Sequence, residues 1–156
     1  MIHINTKILI LRPIWEVFNY ITKPENNAQW QYGSLASVQL SKGNMELGTL
    51  FRSFGHFMGR RVQGVFEVTE FEANKRYSFK TSSGPIQLHT AYTFEAVRRG
   101  TNLVVSAQIN PGTFFKLVDP IVEKVAKKQF SENLATLKHI LEAMDIKHEQ
   151  KQLSPL

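Results

Sequence analysis

Apolar and polar positions alternate through residues 2–11, with Ile2, Ile4, Thr6, Ile8 and Ile10 in one phase. A period of two is that of a strand with one buried face. Arg12-Pro13 ends it, and Pro13 can open a helix, because a first-turn residue does not need its backbone N–H. Ile14, Val17, Phe18 and Ile21 fall on one side of that helix, while Trp15 and Tyr20 lie off the stripe and are expected at the sheet's edge. Thr22-Lys23-Pro24-Glu25 punctuates the chain, and residues 24–30 form a second short helix. From Tyr32 onward the period is again two. Strands are predicted over 34–41, 49–57, 61–72, 76–81, 86–97 and 102–109, separated by short turns such as Lys42-Gly43-Asn44, Ala73-Asn74-Lys75 and Arg98-Arg99-Gly100. Such connections make an antiparallel meander and exclude a Rossmann-type sheet. The pattern then changes for the last time. Val118, Ile121, Val122, Val125, Gln129 or Phe130, Leu134, Leu137, Leu141 and Met144 recur in threes and fours, the stripe of an amphipathic helix. Asp119-Pro120 reads as its N-cap and first residue, and 113–118 as a separate turn meeting it at a bend. Over 119–144 the helix is roughly 39 Å long. Residues 1–145 form one domain and 146–156 a polar tail.

The order is one strand, two short helices, six antiparallel strands and a long helix. Seven antiparallel strands twist too strongly to stay flat, and wrapping them around the helix buries both apolar faces. The arrangement resembles the helix-grip fold (α+β) of the START/SRPBCC superfamily, in particular its polyketide cyclase/dehydrase-like branch. The residues that carry the resemblance are Val17-Phe18-Asn19-Tyr20-Ile21, Pro24-Glu25-Asn26 leading to Trp30, and Val68-Thr69-Glu70-Phe71-Glu72 followed by Lys75-Arg76. Gly100-Thr101-Asn102-Leu103 before the last strand and the helix from Leu134 to Leu141 complete it. The match spans roughly residues 2–143. It implies an apolar cavity between sheet and helix that takes lipids, sterols, polyketides or similar hydrophobic molecules.

Composition adds limits. The chain has 156 residues, 42% hydrophobic and 21% charged, with eleven phenylalanines and no cysteine. One domain with an ordinary core follows, and disulfides, thiolate nucleophiles and thiolate metal sites are excluded. No apolar run approaches the ~20 residues of a membrane span. The N-terminal residues lack the order of a signal peptide, so a cytoplasmic location is expected. The net charge of +6 raises the question of an acidic partner, nucleic acid or an anionic membrane surface. The Lys and Arg residues are scattered, however, which fits a solvated surface better than a nucleic-acid site and leaves peripheral membrane contact as an option.

Strand parity selects the cavity wall. Leu88, Tyr92 and Phe94 share a face, as do Leu103, Val105, Ala107 and Ile109, and Tyr77 with Phe79. Over 50–57 parity gives two answers. Either Leu50, Arg52, Phe54 and His56 face inward, or Phe51, Ser53, Gly55 and Phe57 do, with Arg52 and His56 in water. The candidate ligand-binding set is Trp30, Arg52, Phe54, His56, Phe66, Phe79, Leu88, Tyr92, Val105, Val118 and Val122. No catalytic set is evident. His3, His89, His139 and His148 are expected at the surface, Glu67, Glu70 and Glu72 form a charged rim, and no histidine or carboxylate has metal-ligand spacing. There is no Gly-x-Ser-x-Gly elbow, Walker loop or dinucleotide glycine motif, so neither a metal nor a cofactor is expected. Three functions follow: a module binding a small hydrophobic ligand; a cyclase or dehydratase-like enzyme in which Arg52, His56 or Tyr92 orients a polyketide; or an interaction protein using the basic face. Oligomeric state is left open.

Overall fold

The computed structural model describes residues 1–112 and 119–153, with side chains described for 1–112 and 120–144. Its elements are β1 (Ile2–Ile10), α1 (Ile14–Ile21), a single 3-10 turn (Pro24–Asn26) running into α2 (Asn27–Trp30), β2 (Ser34–Gln39), β3 (Leu50–Phe57), β4 (Arg60–Glu72), β5 (Arg76–Ser83), β6 (Gln87–Val97), β7 (Gly100–Asn110) and α3 (Asp119–Leu153). The strands form one antiparallel sheet in the order β1-β7-β6-β5-β4-β3-β2. Register shifts interrupt β2 between Ser34 and Ala36, and β4 between Val65 and Phe66 and between Val68 and Glu70. Bulges of this kind add local twist and bend the strand. Here they help curl the sheet into a half-barrel with α3 in its concave side, the helix-grip fold.

Local chemistry fixes the joints. Thr101, fully buried, donates its hydroxyl to the Arg12 carbonyl (2.9 Å), tying the turn after β1 to the start of β7. Arg12 in turn donates Nε–H to Glu16 (2.7 Å) on the first turn of α1. The β3–β4 hairpin turns at Met58 and Gly59, both with positive φ (51° and 81°), as a tight two-residue connection requires. Tyr20 donates its hydroxyl to Gln29 Oε1 (2.5 Å), whereas Trp15 stands in solvent rather than against the sheet.

The spacing predicts that α3 ends near Met144; it continues to Leu153, so 147–153 are helical rather than a loose tail. The physical reason is local: this stretch is polar but built from good helix formers, with no Gly or Pro before Pro155. The turn expected over 113–118, Val118 included, lies outside the described residues, as do 154–156. Along α3 the buried positions are Val122, Ala126, Leu134, Leu137 and Leu141. Ile121 and Met144, counted in the predicted stripe, are exposed. Ile121 precedes Val122 by one residue, which turns it about 100° away from the sheet. On the outer face, Lys127 pairs with Glu123 (3.0 Å) and Lys138 with Glu142 (2.8 Å).

The interior divides in two. The larger cluster joins α1, the middle strands and Leu134, Leu137 and Leu141 of α3; the smaller joins Ile2, Ile4 and Ala107 to Val122 and Ala126. Leu88 and Phe130 pack against both. Aromatic rings run continuously through the larger one: Phe18 meets Phe94 (5.1 Å between centroids), Tyr77 stacks on Tyr92 (5.9 Å), and Phe51 meets Phe66 (5.4 Å) and Phe79 (5.2 Å).

This core can be probed in two ways. Leu137, with 0% exposure, is held by the larger cluster, so Leu137→Ala should cost about 2–5 kcal/mol in urea unfolding; a change below about 1 kcal/mol would mean that α3 does not grip the sheet. Burial also raises the Tyr77 and Tyr92 pKa values above the ordinary 10.0. A phenol whose folded pKa is raised stabilises the fold fully below its unfolded pKa and loses that contribution as pH climbs past it. Melting temperature should therefore fall steeply above about pH 10, with the phenolate absorbance of the two buried tyrosines appearing only as the chain unfolds. Phenolate signal from all four tyrosines before unfolding would contradict this.

Candidate functional site

Where the two clusters fail to meet, the concave face of the sheet and α3 enclose a cavity of about 260 Å³. Strands supply most of its wall. Phe51, Ser53 and Phe57 come from β3, Phe66 from β4, Phe79 from β5, Leu88, Thr90 and Tyr92 from β6, and Val105 from β7. Pairing sets this order: Phe51 lies opposite Phe66, and Tyr92 lies between Tyr77 and Val105. Trp30 of α2 closes one side, 4% exposed, with its ring 6.5 Å from that of Tyr92 in an edge-to-face contact. From α3 come Phe130, Asn133 and Leu134, one inward-facing turn of the helix.

The mouth is built where the loop after α2 crosses β3. Gly33 has φ +89°, and a Cβ there would come within 2.5 Å of the His56 carbonyl; a Cβ on Gly55 would come within 2.4 Å of the Gly33 carbonyl. Only glycines at both places allow the backbones to lie this close, with His56 N–H donating to Gly33 O (2.8 Å). Asn133 Oδ1 fastens the same loop to α3, accepting from Tyr32 N–H (3.0 Å) and from Gln129 Nε2 (2.9 Å). Tyr32 is exposed and stands edge-on to the His56 imidazole, 6.1 Å between centroids.

Of the residues selected from sequence, Trp30, Phe54, His56, Phe66, Phe79, Leu88, Tyr92 and Val105 lie in this wall. Phe54 (37% exposed) and His56 are there at the rim rather than inside. Three do not join it. Arg52 is exposed on the outer face of the sheet, because β3 turns Phe51 and Ser53 inward. Val122 is buried in the smaller cluster, two turns of α3 before Phe130, where Ile2, Ile4 and Ala107 pack against it. Val118 lies outside the described residues. The sequence reading missed Thr90, which shares the phase of Leu88 and Tyr92, and Phe130 with Asn133, which follow the helical stripe. Glu70, expected on a charged rim, accepts from Ser78 Oγ (3.0 Å) beside β5.

The chemistry of the wall is apolar with a few neutral polar groups. Among the described residues, no Asp, Glu, Lys or Arg lines the cavity. Tyr92 is 4% exposed, and burial raises its pKa. The Trp30 indole Nε1–H is buried without a hydrogen-bond partner among the described residues. No group of three His, Cys, Asp or Glu side chains among the described residues is placed to hold a metal ion. Among the described residues, no helix is long and apolar enough to cross a membrane.

Known proteins place this architecture. A START superfamily protein from Mycobacterium smegmatis superposes with a TM-score of 0.79 at 13% identity, covering 91% of this chain and 98% of that one. A protein of Thermus thermophilus gives a TM-score of 0.76 at 17% identity over 91% and 98% of the two chains. A protein encoded in the dynemicin biosynthetic locus gives 0.63 at 22% identity, over 90% of this chain and 47% of that one. At such identities the likeness is one of fold. No curated protein matches the sequence. The family model for polyketide cyclase/dehydrase and lipid transport proteins, however, matches residues 1–142. The chain belongs to that family.

Proposed function

We propose that the protein binds a small hydrophobic molecule in the cavity between its sheet and α3. The observation that carries this reading is the cavity itself: about 260 Å³ walled by Phe51, Phe66, Phe79, Leu88, Tyr92, Val105 and Phe130. Concave, mostly apolar space with a few polar groups is what small-molecule sites have in common. Membership of a family described by polyketide cyclisation, dehydration and lipid transport supports it. The basic surface supports a partner less well, since Lys127, Lys128 and Lys138 each lie within 4 Å of a glutamate one turn away (3.0, 3.9 and 2.8 Å).

One observation favours a second reading, catalysis on a carbonyl-bearing ligand: the Tyr92 phenol stands in the wall as a neutral donor, able to polarise a carbonyl. Arg52, on the outer face of the sheet, has no part in such a mechanism.

Native mass spectrometry of gently purified protein should show an adduct of a few hundred daltons that is lost on denaturation. Apolar probes at about a hundred times their Kd should stabilise the fold by about 2.7 kcal/mol. Leu88→Trp, which fills the cavity from a half-buried position, should keep the circular dichroism of the fold and lose both effects. A bare mass together with a melting temperature indifferent to every apolar probe would end the binding reading. For catalysis, a linear poly-β-ketone should be cyclised by the protein and not by Tyr92→Phe; equal product from both would remove Tyr92 from any mechanism.

A further inference from the structure

Across β5, β6, β7 and β1 the outer, convex face of the sheet carries Lys80, His89, Gln108 and His3 in one exposed row, as a solvated face should. The corner formed by β2, β3 and β4 is different. We propose that this corner is a docking surface for an anionic lipid membrane, with aliphatic side chains entering the interfacial layer and arginines meeting lipid phosphates. Its centre, Val38, Arg52 and Val65, lies on the far side of the sheet from the cavity, so the surface stands whatever the cavity holds.

Strand pairing makes the surface continuous. Val38, Arg52 and Val65 form one cross-strand row, Ala36, Phe54 and Gln63 the next, and His56 with Arg61 a third. Large apolar side chains stand in water along it: Leu35, at the β2 bulge, is 60% exposed, Val38 48% and Phe54 37%. Exposed Tyr32 adjoins them through His56. Apolar side chains left together in water mark a surface that meets something. Arg52 and Arg61 are exposed among them and face no carboxylate across the ladder: Arg52 lies between Val38 and Val65, and Arg61 lies opposite His56.

Charge and size select the occupant. Arginines on a chain of net charge +6 call for a negative partner. Three strands about 4.8 Å apart and some six residues of about 3.4 Å each give an area of about 300 Å². That is well short of the roughly 800 Å² that each partner gives to a stable protein interface. A second copy seated on the same patch by a twofold axis would also set arginines against arginines. Single-stranded nucleic acid is held by rings that stack on its bases, but Leu35 and Val38 offer none, and Tyr32 and His56 stand edge-on to each other. A bilayer surface has no minimum area and moulds to a convex face. It takes aliphatic side chains below its phosphates while arginines reach them, and binding grows with both contributions.

Co-sedimentation with vesicles of phosphatidylcholine, with and without a third of phosphatidylglycerol, tests this. The protein should pellet with the anionic vesicles and not with the neutral ones, and about 0.5 M salt should release most of it. Arg52→Glu/Arg61→Glu should weaken binding at least about tenfold, and Leu35→Ser/Val38→Ser about as much, both keeping the circular dichroism of the fold. Lys127→Glu/Lys128→Glu, an equal change of charge on the outer face of α3, should keep most of the affinity. An equal loss in that control would mean that net charge alone attracts the vesicles, and would overturn the surface. No binding to anionic vesicles, equal binding to neutral ones, or binding indifferent to both patch variants would overturn it as well. In place of vesicle binding, a dimer dissolved by Leu35→Ser/Val38→Ser would give the corner to a second copy, and a single-stranded oligonucleotide released by Arg52→Glu/Arg61→Glu would give it to nucleic acid.

Discussion

Everything in this molecule depends on covering the concave face of a strongly curled antiparallel sheet. The bulges in β2 and β4 help curl the sheet, and curvature turns the inward side chains of β3–β7 towards one axis. A single helix lies along that axis. It can touch the sheet only along its own stripe, so contact is dense where small and medium side chains interlock and sparse where large rings hold the surfaces apart. At one end Val122 and Ala126 meet Ile2, Ile4 and Ala107; further along, Leu134, Leu137 and Leu141 meet the aromatic cluster. The cavity is what remains between those contacts.

The same packing explains which polar groups enter the wall. Antiparallel pairing forces neighbours to share a face, so once Phe66 faces α3, Phe51 opposite it must as well. Arg52, one residue on, is then carried outward opposite Val65. This is also the favourable outcome electrostatically, because an inward guanidinium would need a buried partner that the wall does not offer. Tyr92 and Trp30 enter for the opposite reason: their rings are needed to fill space, and their single polar atoms come with them.

Much of this was legible in the residues. Period-two runs placed all seven strands within a few residues of their bounds, because each strand buries one face and wets the other. Parity also predicted the inner faces of β6 and β7. It failed to decide β3, where Phe54 in one phase and Phe51 and Phe57 in the other are equally apolar; only the pairing with β4, a non-local fact, breaks the tie. Val122 was assigned to the cavity because the helical stripe says which way a residue faces but not what stands opposite it. Asn133 escaped notice for a related reason. It interrupts an apolar stripe as a polar residue, and its purpose lies about a hundred residues away in sequence, at Tyr32.

That long-range bond also shapes the mouth of the cavity. The mouth lies where the loop between α2 and β2 meets β3 and α3, and two kinds of tie hold it. On β3, the Gly33–Gly55 approach is set by backbone atoms and tolerates no side chain, so this side is rigid. On α3, the loop hangs from one side-chain oxygen, Asn133 Oδ1, which Gln129 also uses. A shared, partly exposed hydrogen bond of this kind is worth about 1 kcal/mol net and opens at little cost. The loop is therefore held by backbone packing on the glycine side and by one side-chain oxygen on the helix side. Exposed Tyr32 donates that bond from its backbone, so the same contact that ties the loop to α3 also sets an aromatic ring edge-on to His56 at the mouth.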